Sequence, residues 1–472
     1  MKIIVRWILL FIAALLPAMA PAQTYTDLYT FAPYTADPFA NTNGAFPSGG
    51  LVLSSNVLYG TSSAGGTNGQ GVIFSINTDG SHFTDLHTFA ALSGTYTGNN
   101  PDGAGPYDTL LLYSNQLYGT AKVGGTAGFG YGTLFRINTD GNTFTNLHNF
   151  SDGAGGPHGG LIVFSNVLYG TTLSGGTGYG SVFRINPDGT AFTNLHSFTA
   201  LTNDALGPAG GLVISGNTLY GTTSGGGNGG GGVVFSVSTG GKGYTNLFNF
   251  QKSPGQGQSS TNTTGTEPYS SLLLLGGTLY GTTLYGGTNG NGIIFAINTD
   301  GTGFTNLHTF AAGTTGSPNA DGVSPQGQLL LVGGSLYGTA PNGGYSGYGT
   351  VFAINTNGSN FRVVYQFVEI LGPNYVNLGG VSPVGGVILA NNTLYGTTYS
   401  GGYDGNIFSL DLGIPLGVQT SGGNLVLNWT NTAFSLQAAP SLTGTFTNIP
   451  NATSPYTNVS AAGQLFFRLQ AN

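Results

Sequence analysis

Four of the six histidines, His87, His148, His196 and His308, occupy one position of a recurring segment, and the other copies carry Tyr29, Phe248 and Tyr365 there. Imidazole serves proton transfer and metal binding near neutral pH. A position that accepts an aromatic ring equally well is instead a packing position, so neither role is expected of these four. His82 and His158 lie in a turn and a loop, with no partner motif beside them. A second series, Asp79, Asp140, Asp188 and Asp300, is followed each time by glycine. Asp-Gly is hairpin chemistry. A calcium cage needs several oxygen ligands close together, and these units have no D-x-D-x-D run to supply them. Glycine-rich stretches such as Gly286-Gly287-Thr288-Asn289-Gly290 precede no Lys-Ser/Thr pair and open no helix, so a phosphate cradle is not expected. No Ser-His-Asp pattern, metal motif or cofactor fingerprint stands out, and neither cofactor nor metal is expected.

What remains is a set of acids and rings that only the fold can gather. The acids are Asp102, Asp152, Asp204, Glu267, Asp321 and Glu369; the rings are Tyr131, Tyr179, Tyr285, Tyr345, Tyr348 and Tyr403. Two carboxyls about 5–10 Å apart could act as acid and base on a polysaccharide. Tyrosine rings, apolar on the face and polar at the tip, could stack on pyranose rings.

The elements that would position them repeat. The tetrapeptide LYGT begins at Leu58, Leu117, Leu168, Leu219, Leu279, Leu336 and Leu394, 51 to 60 residues apart, the mark of a repeat architecture. Around each copy the order is constant: a segment like FTNLHTF (D), a variable loop, an apolar run like GLVL (A), a two-residue turn, LYGT itself (B), a glycine-rich loop, and a run like VIFSIN (C). The A-to-B turns are Ser-Asn, Gly-Asn, Gly-Gly or Asn-Asn, and the C-to-D turns include Asp-Gly, Gly-Gly and Asn-Gly. These pairs accept the positive φ of tight hairpins, so each unit is predicted as a four-stranded antiparallel meander. Runs such as Leu110-Leu111-Leu112 and Leu329-Leu330-Leu331 are continuously apolar and need cover on both faces, which radially stacked sheets provide.

A D segment, Tyr25 to Phe31, stands first in the chain, and the last unit ends on its C segment, Asn406 to Leu410. Seven units displaced by one strand predict an all-β, seven-bladed β-propeller whose N-terminal strand completes the last blade and removes the exposed edge. A β-helix, the other fold for a glycine-rich repeat, needs no such displacement. In the propeller, the D-to-A and B-to-C loops emerge on one face, and they carry the acids and tyrosines named above. Loops of unequal length on a rigid scaffold suit recognition.

The units resemble the extracellular Gloeo/Verruco (GloVer) tandem repeat of exported proteins from Verrucomicrobia and some cyanobacteria. The matching motif, LYGTTxxGGxxGxGxVFxINxDGxxFTNLHxF, is nearly complete from Leu168 to Phe198 and from Leu279 to Phe310, and the resemblance covers roughly residues 24 to 412. It implies an exported location and a repeat architecture, and it brings no activity with it.

Residues 1–22 read as a secretory signal: Lys2 and Arg6, an apolar run from Trp7 to Leu16, then small residues ending at Ala22. That run is shorter than the about 20 residues a membrane span needs, so a secreted or cell-surface protein with no transmembrane segment after cleavage is expected. There is no cysteine, hence no disulfide or thiolate site. Only 5% of residues are charged, and nine Lys and Arg face sixteen Asp and Glu, a formal net charge of -7; a nucleic-acid partner, which needs clustered cations, is not expected. The propeller is assigned to 23–413. Residues 414–472 leave the repeat and are expected to form a small β-sandwich-like module, with Trp429 in its core. This module resembles the C-terminal modules of exported Verrucomicrobial proteins through NLVLNW, FSLQAAPSLTGTFTNI and LFFRL. The expected function is an exported, non-catalytic binding or surface scaffold whose partner is a glycan or another exported protein. A polysaccharide hydrolase or lyase using the loop carboxylates, and a structural envelope or matrix component, are the alternatives.

Overall fold

Short apolar runs alternating with two-residue turns fold as antiparallel sheets, and every LYGT segment becomes the second strand of one. The computed structural model describes residues 24–33, 40–93, 98–126, 130–151, 155–175, 178–199, 204–252, 261–313, 319–369 and 379–413 of the repeat region, and 417–421, 424–428, 434–439, 445–458 and 466–471 beyond it. Blade 1 runs Val52–Ser54, Val57–Ser62, Val72–Asn77 and Thr84–Thr88, in the order A-B-C-D. Blades 2 to 6 repeat the order around B strands Gln116–Gly125, Val167–Thr172, Thr218–Thr223, Thr278–Thr283 and Ser335–Ala340. Blade 7 takes Ile388–Ala390, Thr393–Thr398 and Asn406–Asp411 from one end of the repeat region, and its D strand, Tyr25–Thr30, from the other. The predicted seven-bladed propeller with its displaced strand is therefore the observed fold. The Asp411 N–H donates to the Thr24 carbonyl at 3.0 Å, and the Phe31 N–H to the Gly405 carbonyl at 3.1 Å.

Each letter of LYGT has a separate cause. The leucine is fully buried in all seven copies. The glycine makes room: a Cβ there would stand 2.5–2.7 Å from Cζ of the C-strand phenylalanine, as at Gly60 against Phe74 and Gly338 against Phe352. The threonine reaches outward, its hydroxyl donating to a backbone carbonyl of the next blade. The pairs are Thr61 to Asp108, Thr171 to Gly210, Thr222 to Ser270, Thr282 to Pro325, Thr339 to Gly385 and Thr397 to Gly49, at 3.0–3.4 Å. The last of these joins blade 7 to blade 1.

A second joint recurs at all seven interfaces. The residue before the proline that precedes each A strand has φ between 56° and 66°: Phe46, Gly105, Gly156, Gly207, Glu267, Ser324 and Ser382. Its N–H donates to a carbonyl in the preceding blade's B-to-C loop, from Phe46 to Asp404 at 2.7 Å through Ser382 to Tyr348 at 2.9 Å. The proline itself sits on a glycine of that preceding blade. That glycine (Gly71, Gly132, Gly180, Gly232, Gly292, Gly349 or Gly405) has φ of 95–104°, and a Cβ on it would come within 2.6–2.9 Å of the proline Cδ.

The core lies between blades rather than within them. Phe31 of blade 7, for example, packs with Leu51, Leu58 and Phe74 of blade 1. The D-strand position shared by histidine, tyrosine and phenylalanine stacks face to face on an aromatic ring of the next blade: Tyr29 on Phe83, His87 on Phe144, His148 on Phe192, His196 on Tyr244, Phe248 on Phe304 and His308 on Phe361, with centroids 3.6–3.9 Å apart. The A strands differ from the reading as doubly covered apolar runs. In blade 2 only Leu110, just ahead of the strand, is buried, while Leu111–Tyr113 is half-buried. This innermost strand has a neighbour on one edge and the axial opening on the other.

Thr26–Ala390 and Leu394–Ser409 form one compact unit, and Asn391–Thr393 and Leu410–Asn472 belong to a second. Beyond the propeller, two three-stranded antiparallel sheets form: Gly417–Ser421, Asn424–Asn428 and Tyr456–Asn458, and Thr447–Asn448, Phe434–Ala439 and Phe466–Ala471. Trp429 and the proposed signal, residues 1–22, lie outside the described residues.

Phe31 is fully buried in the seam between blades 7 and 1; Phe31→Asp should cost at least the about 3–5 kcal/mol of deleting a core phenylalanine and lower the thermal midpoint of the propeller. An unchanged midpoint would mean that Tyr25–Thr30 does not hold the ring. Asp85 stands where blades 2 to 5 carry Asn146, Asn194, Asn246 and Asn306. Its Oδ1 is buried without a hydrogen-bond partner, and burial pushes its carboxyl up to about 6. A carboxyl raised on folding favours the fold below its unfolded value of about 4, and that contribution is lost as pH rises through the folded value. Asp85→Asn should therefore raise the thermal midpoint at pH 7.5 and change it little at pH 3.5; equal shifts at both would rule out this origin.

Candidate functional site

The D-to-A and B-to-C loops of a blade are bridged to each other, so they share one face: Ala45 pairs with Ala64, Ala104 with Val123, Ala205 with Gly226, Thr266 with Tyr285, Val323 with Asn342 and Val381 with Ser400. Tyr179, Tyr345 and Tyr403 project from this face, with 39%, 72% and 50% of their surface exposed, and Tyr399, not anticipated, joins them at 37%. Tyr131, Tyr285 and Tyr348 are half-buried and take part in backbone bridges between or within loops. Glu369 is exposed and lies within hydrogen-bond reach of Tyr348.

The acids are placed differently from the rings. Asp102 meets His87 at 2.9 Å and the Ala90 N–H; Asp321 meets His308 at 2.7 Å and the Ala311 N–H; Asp204 meets His196 at 3.4 Å and both the N–H and hydroxyl of Thr199. Each of these carboxylates ties down the start of its own loop while the histidine ring remains stacked on the next blade. Glu267 is half-buried in a left-handed backbone conformation, and Asp152 lies outside the described residues.

The same loops end on the axis. Residues 47–51, 106–110, 157–161, 208–212, 268–272, 325–329 and 383–387 read Pro-x-Gly-Gly-Leu with exceptions, and they converge on a cavity of about 410 Å³ that all seven blades line. Glycine pairs let the blades close up: a Cβ on Gly49 would stand 2.6 Å from the Asp108 carbonyl oxygen, and one on Gly385 2.8 Å from that of Gly49.

The exceptions break the sevenfold symmetry of the cavity, and they include Gln326-Gly327-Gln328 of blade 6. Blade 2 supplies Tyr107-Asp108-Thr109, blade 5 Tyr269-Ser270-Ser271, and blade 3 places His158 ahead of its glycines. His158 Nδ1 donates to the Ala209 carbonyl at 2.8 Å, and Nε2 lies 3.2 Å from the Tyr269 hydroxyl. The His158 ring is 5.5 Å from Tyr107 and 5.4 Å from Tyr269, and Lys122 Nζ stands 5.9 Å over the Tyr107 ring. Burial pushes the Tyr107 phenol up to about 12. Behind this wall, burial raises the Asp108 carboxyl against the opposing pull of His158; the Gly159 N–H donates to it, and its Oδ2 is sealed with no hydrogen-bond partner. On the rim, Phe46 stacks on Tyr399 at 5.1 Å. Among the described residues, no group of three or more His, Asp or Glu could hold a metal ion. None of Tyr107, Asp108, His158, Tyr269 and Tyr399 is marked by a local motif. The available signal is departure from Pro-x-Gly-Gly-Leu, visible once the seven stretches are aligned.

A family model described as the Gloeobacter/Verrucomicrobia repeat matches residues 18–158, 91–264 and 256–466. No curated protein matches the chain. Among solved structures, the chain is similar to an oligogalacturonate lyase from Vibrio parahaemolyticus (8% identity, 83% of this chain and 97% of that one, TM-score 0.46) and to an oligogalacturonate lyase in complex with manganese (8%, 82% and 96%, 0.46). It is also similar to a chain of a nidogen/laminin complex (14%, 63% and 86%, 0.36).

Proposed function

The chain belongs to the Gloeobacter/Verrucomicrobia repeat family, and from that premise we propose that it is an exported, non-catalytic binding protein that presents the loop face of its propeller to a glycan. The observation that carries this reading is the set of exposed tyrosines, Tyr179, Tyr345, Tyr399 and Tyr403, on the loops of one face. Exposed tyrosine rings on loops of a rigid scaffold offer an apolar face for stacking and a polar tip. Tyrosine offers contact area at little entropic cost, with a hydroxyl for hydrogen bonds. A chain with 5% charged residues suits a partner recognised by stacking and neutral hydrogen bonds better than a polyanion. Three loop carboxylates are occupied in holding their loops, which favours binding over acid–base chemistry. The basic and apolar pattern of residues 1–22 supports export to the medium or the cell surface.

Sedimentation with insoluble polysaccharides and affinity electrophoresis in soluble ones, with protein beginning at residue 23, test the proposal. Retention by at least one neutral polysaccharide is expected, weakened at least about tenfold, the equivalent of about 1.4 kcal/mol, by Tyr345→Ala combined with Tyr403→Ala at an unchanged thermal midpoint. No retention on any of them would remove the glycan reading.

A further inference from the structure

The axial cavity asks for a ligand of its own. A channel that served only to let seven blades meet would keep the glycine pair throughout, as blades 1, 3, 4 and 7 do with Gly49-Gly50, Gly159-Gly160, Gly210-Gly211 and Gly385-Gly386. Blades 2 and 5 replace both glycines with polar side chains at positions where neighbouring backbone is closest, a departure that packing alone does not require. The resulting groups are paired in a particular way. The Thr109 hydroxyl accepts the Gly50 N–H and the Ser271 hydroxyl accepts the Gly211 N–H, both at 2.8 Å. A hydroxyl used as an acceptor still carries a proton to donate, and both residues are only partly covered on the axis. Tyr107 and Tyr269 add one ring from each of these two blades to the lining.

At about 410 Å³ the cavity falls in the range of small-ligand sites, about 300–1,000 Å³. Seven blades enclose it laterally, so a polymer enters by an end and not by lying across. Rings with adjacent hydroxyl donors match a polyhydroxylated ring. No Lys or Arg is among the described residues that line the cavity, so an acidic sugar would find no ion-pair partner there.

We propose that the axial cavity binds the terminal residue of a neutral oligosaccharide, with Tyr107 and Tyr269 flanking the sugar ring and Thr109 and Ser271 donating to its oxygens. This rests on the glycan reading of the loop face and adds to it that the chain is held by its end.

The test is calorimetric titration of the whole mature protein with maltohexaose, cellohexaose, xylohexaose, mannohexaose and hexagalacturonate, and with the parent polymers before and after partial hydrolysis. Three variants are compared with the unaltered protein: Asp108→Gly with Thr109→Gly, which restores the repeat's own glycine pair; Tyr107→Ala with Tyr269→Ala, which keeps the backbone of blade 2 as it is; and the loop-face variant Tyr345→Ala with Tyr403→Ala. The expected result is binding of at least one neutral hexamer but not hexagalacturonate, at least tenfold weaker in either axial variant that keeps the normal thermal midpoint. Hydrolysis of the polymer should raise the number of sites titrated in proportion to chain ends. Neutral binding that tracks polymer mass rather than ends, and that is lost only in the Tyr345/Tyr403 double variant, would overturn the axial proposal and leave the loop face standing. Tighter binding of hexagalacturonate than of every neutral hexamer would also overturn it, as would the absence of heat with all probes, which would remove the loop-face reading as well.

Discussion

Blades can form this ring only if their inner ends meet with almost nothing between them. Near the axis the available circumference is small, and side chains from seven neighbours cannot all fit. The chain meets that constraint by leaving glycine at most inner contacts and, at six of the joints, letting the LYGT threonine hydroxyl cross the gap to the next blade's carbonyl. The proline seated on a left-handed glycine fixes the same interface a little further along the loops. Buried carbonyls and N–H groups that would otherwise lack partners thus find them in the neighbouring blade, and the aromatic stacks of the D strands close the outer rim. Because these contacts run between blades, one blade has little core of its own, and stability belongs to the ring.

Function borrows positions from the same scheme. The D-strand histidines stack as any aromatic would, yet three of them also turn a nitrogen toward the loop that follows and hold its aspartate. The axial wall likewise uses the glycine positions of two blades for polar side chains. In both cases the repeat supplies the place and individual units change the chemistry, which is how a sevenfold scaffold acquires a site with no sevenfold symmetry.

Much of this was legible in the amino-acid order because its causes are local. Turn pairs such as Asp79-Gly80, the spacing of LYGT and the stray D segment at Tyr25 to Phe31 each depend on a few adjacent residues, and they lead directly to a closed propeller. The axial site was not legible in the same way. Tyr107, His158 and Tyr269 are distant along the chain, and the stretches that carry them look like the start of an apolar strand. Only the ring reveals that Leu110 begins the core while the residues just before it face the axis. The loop aspartates were misleading for a related reason: an acid in a variable loop looks available until the histidine of the preceding strand is seen to reach it.

The seam between the last blade and the first is built from the same atoms as five other joints, a threonine hydroxyl on a backbone carbonyl of the next blade. Loss or gain of a whole unit by slippage between the repeats within the coding sequence would therefore leave two ends that still fit each other. Ring size would be set by how tightly the glycine pairs let the blades converge, and the displaced D strand would close a ring of any such size. Lineages could then vary the number of blades, and with it the bore of the axial site, without inventing a new way to shut the ring.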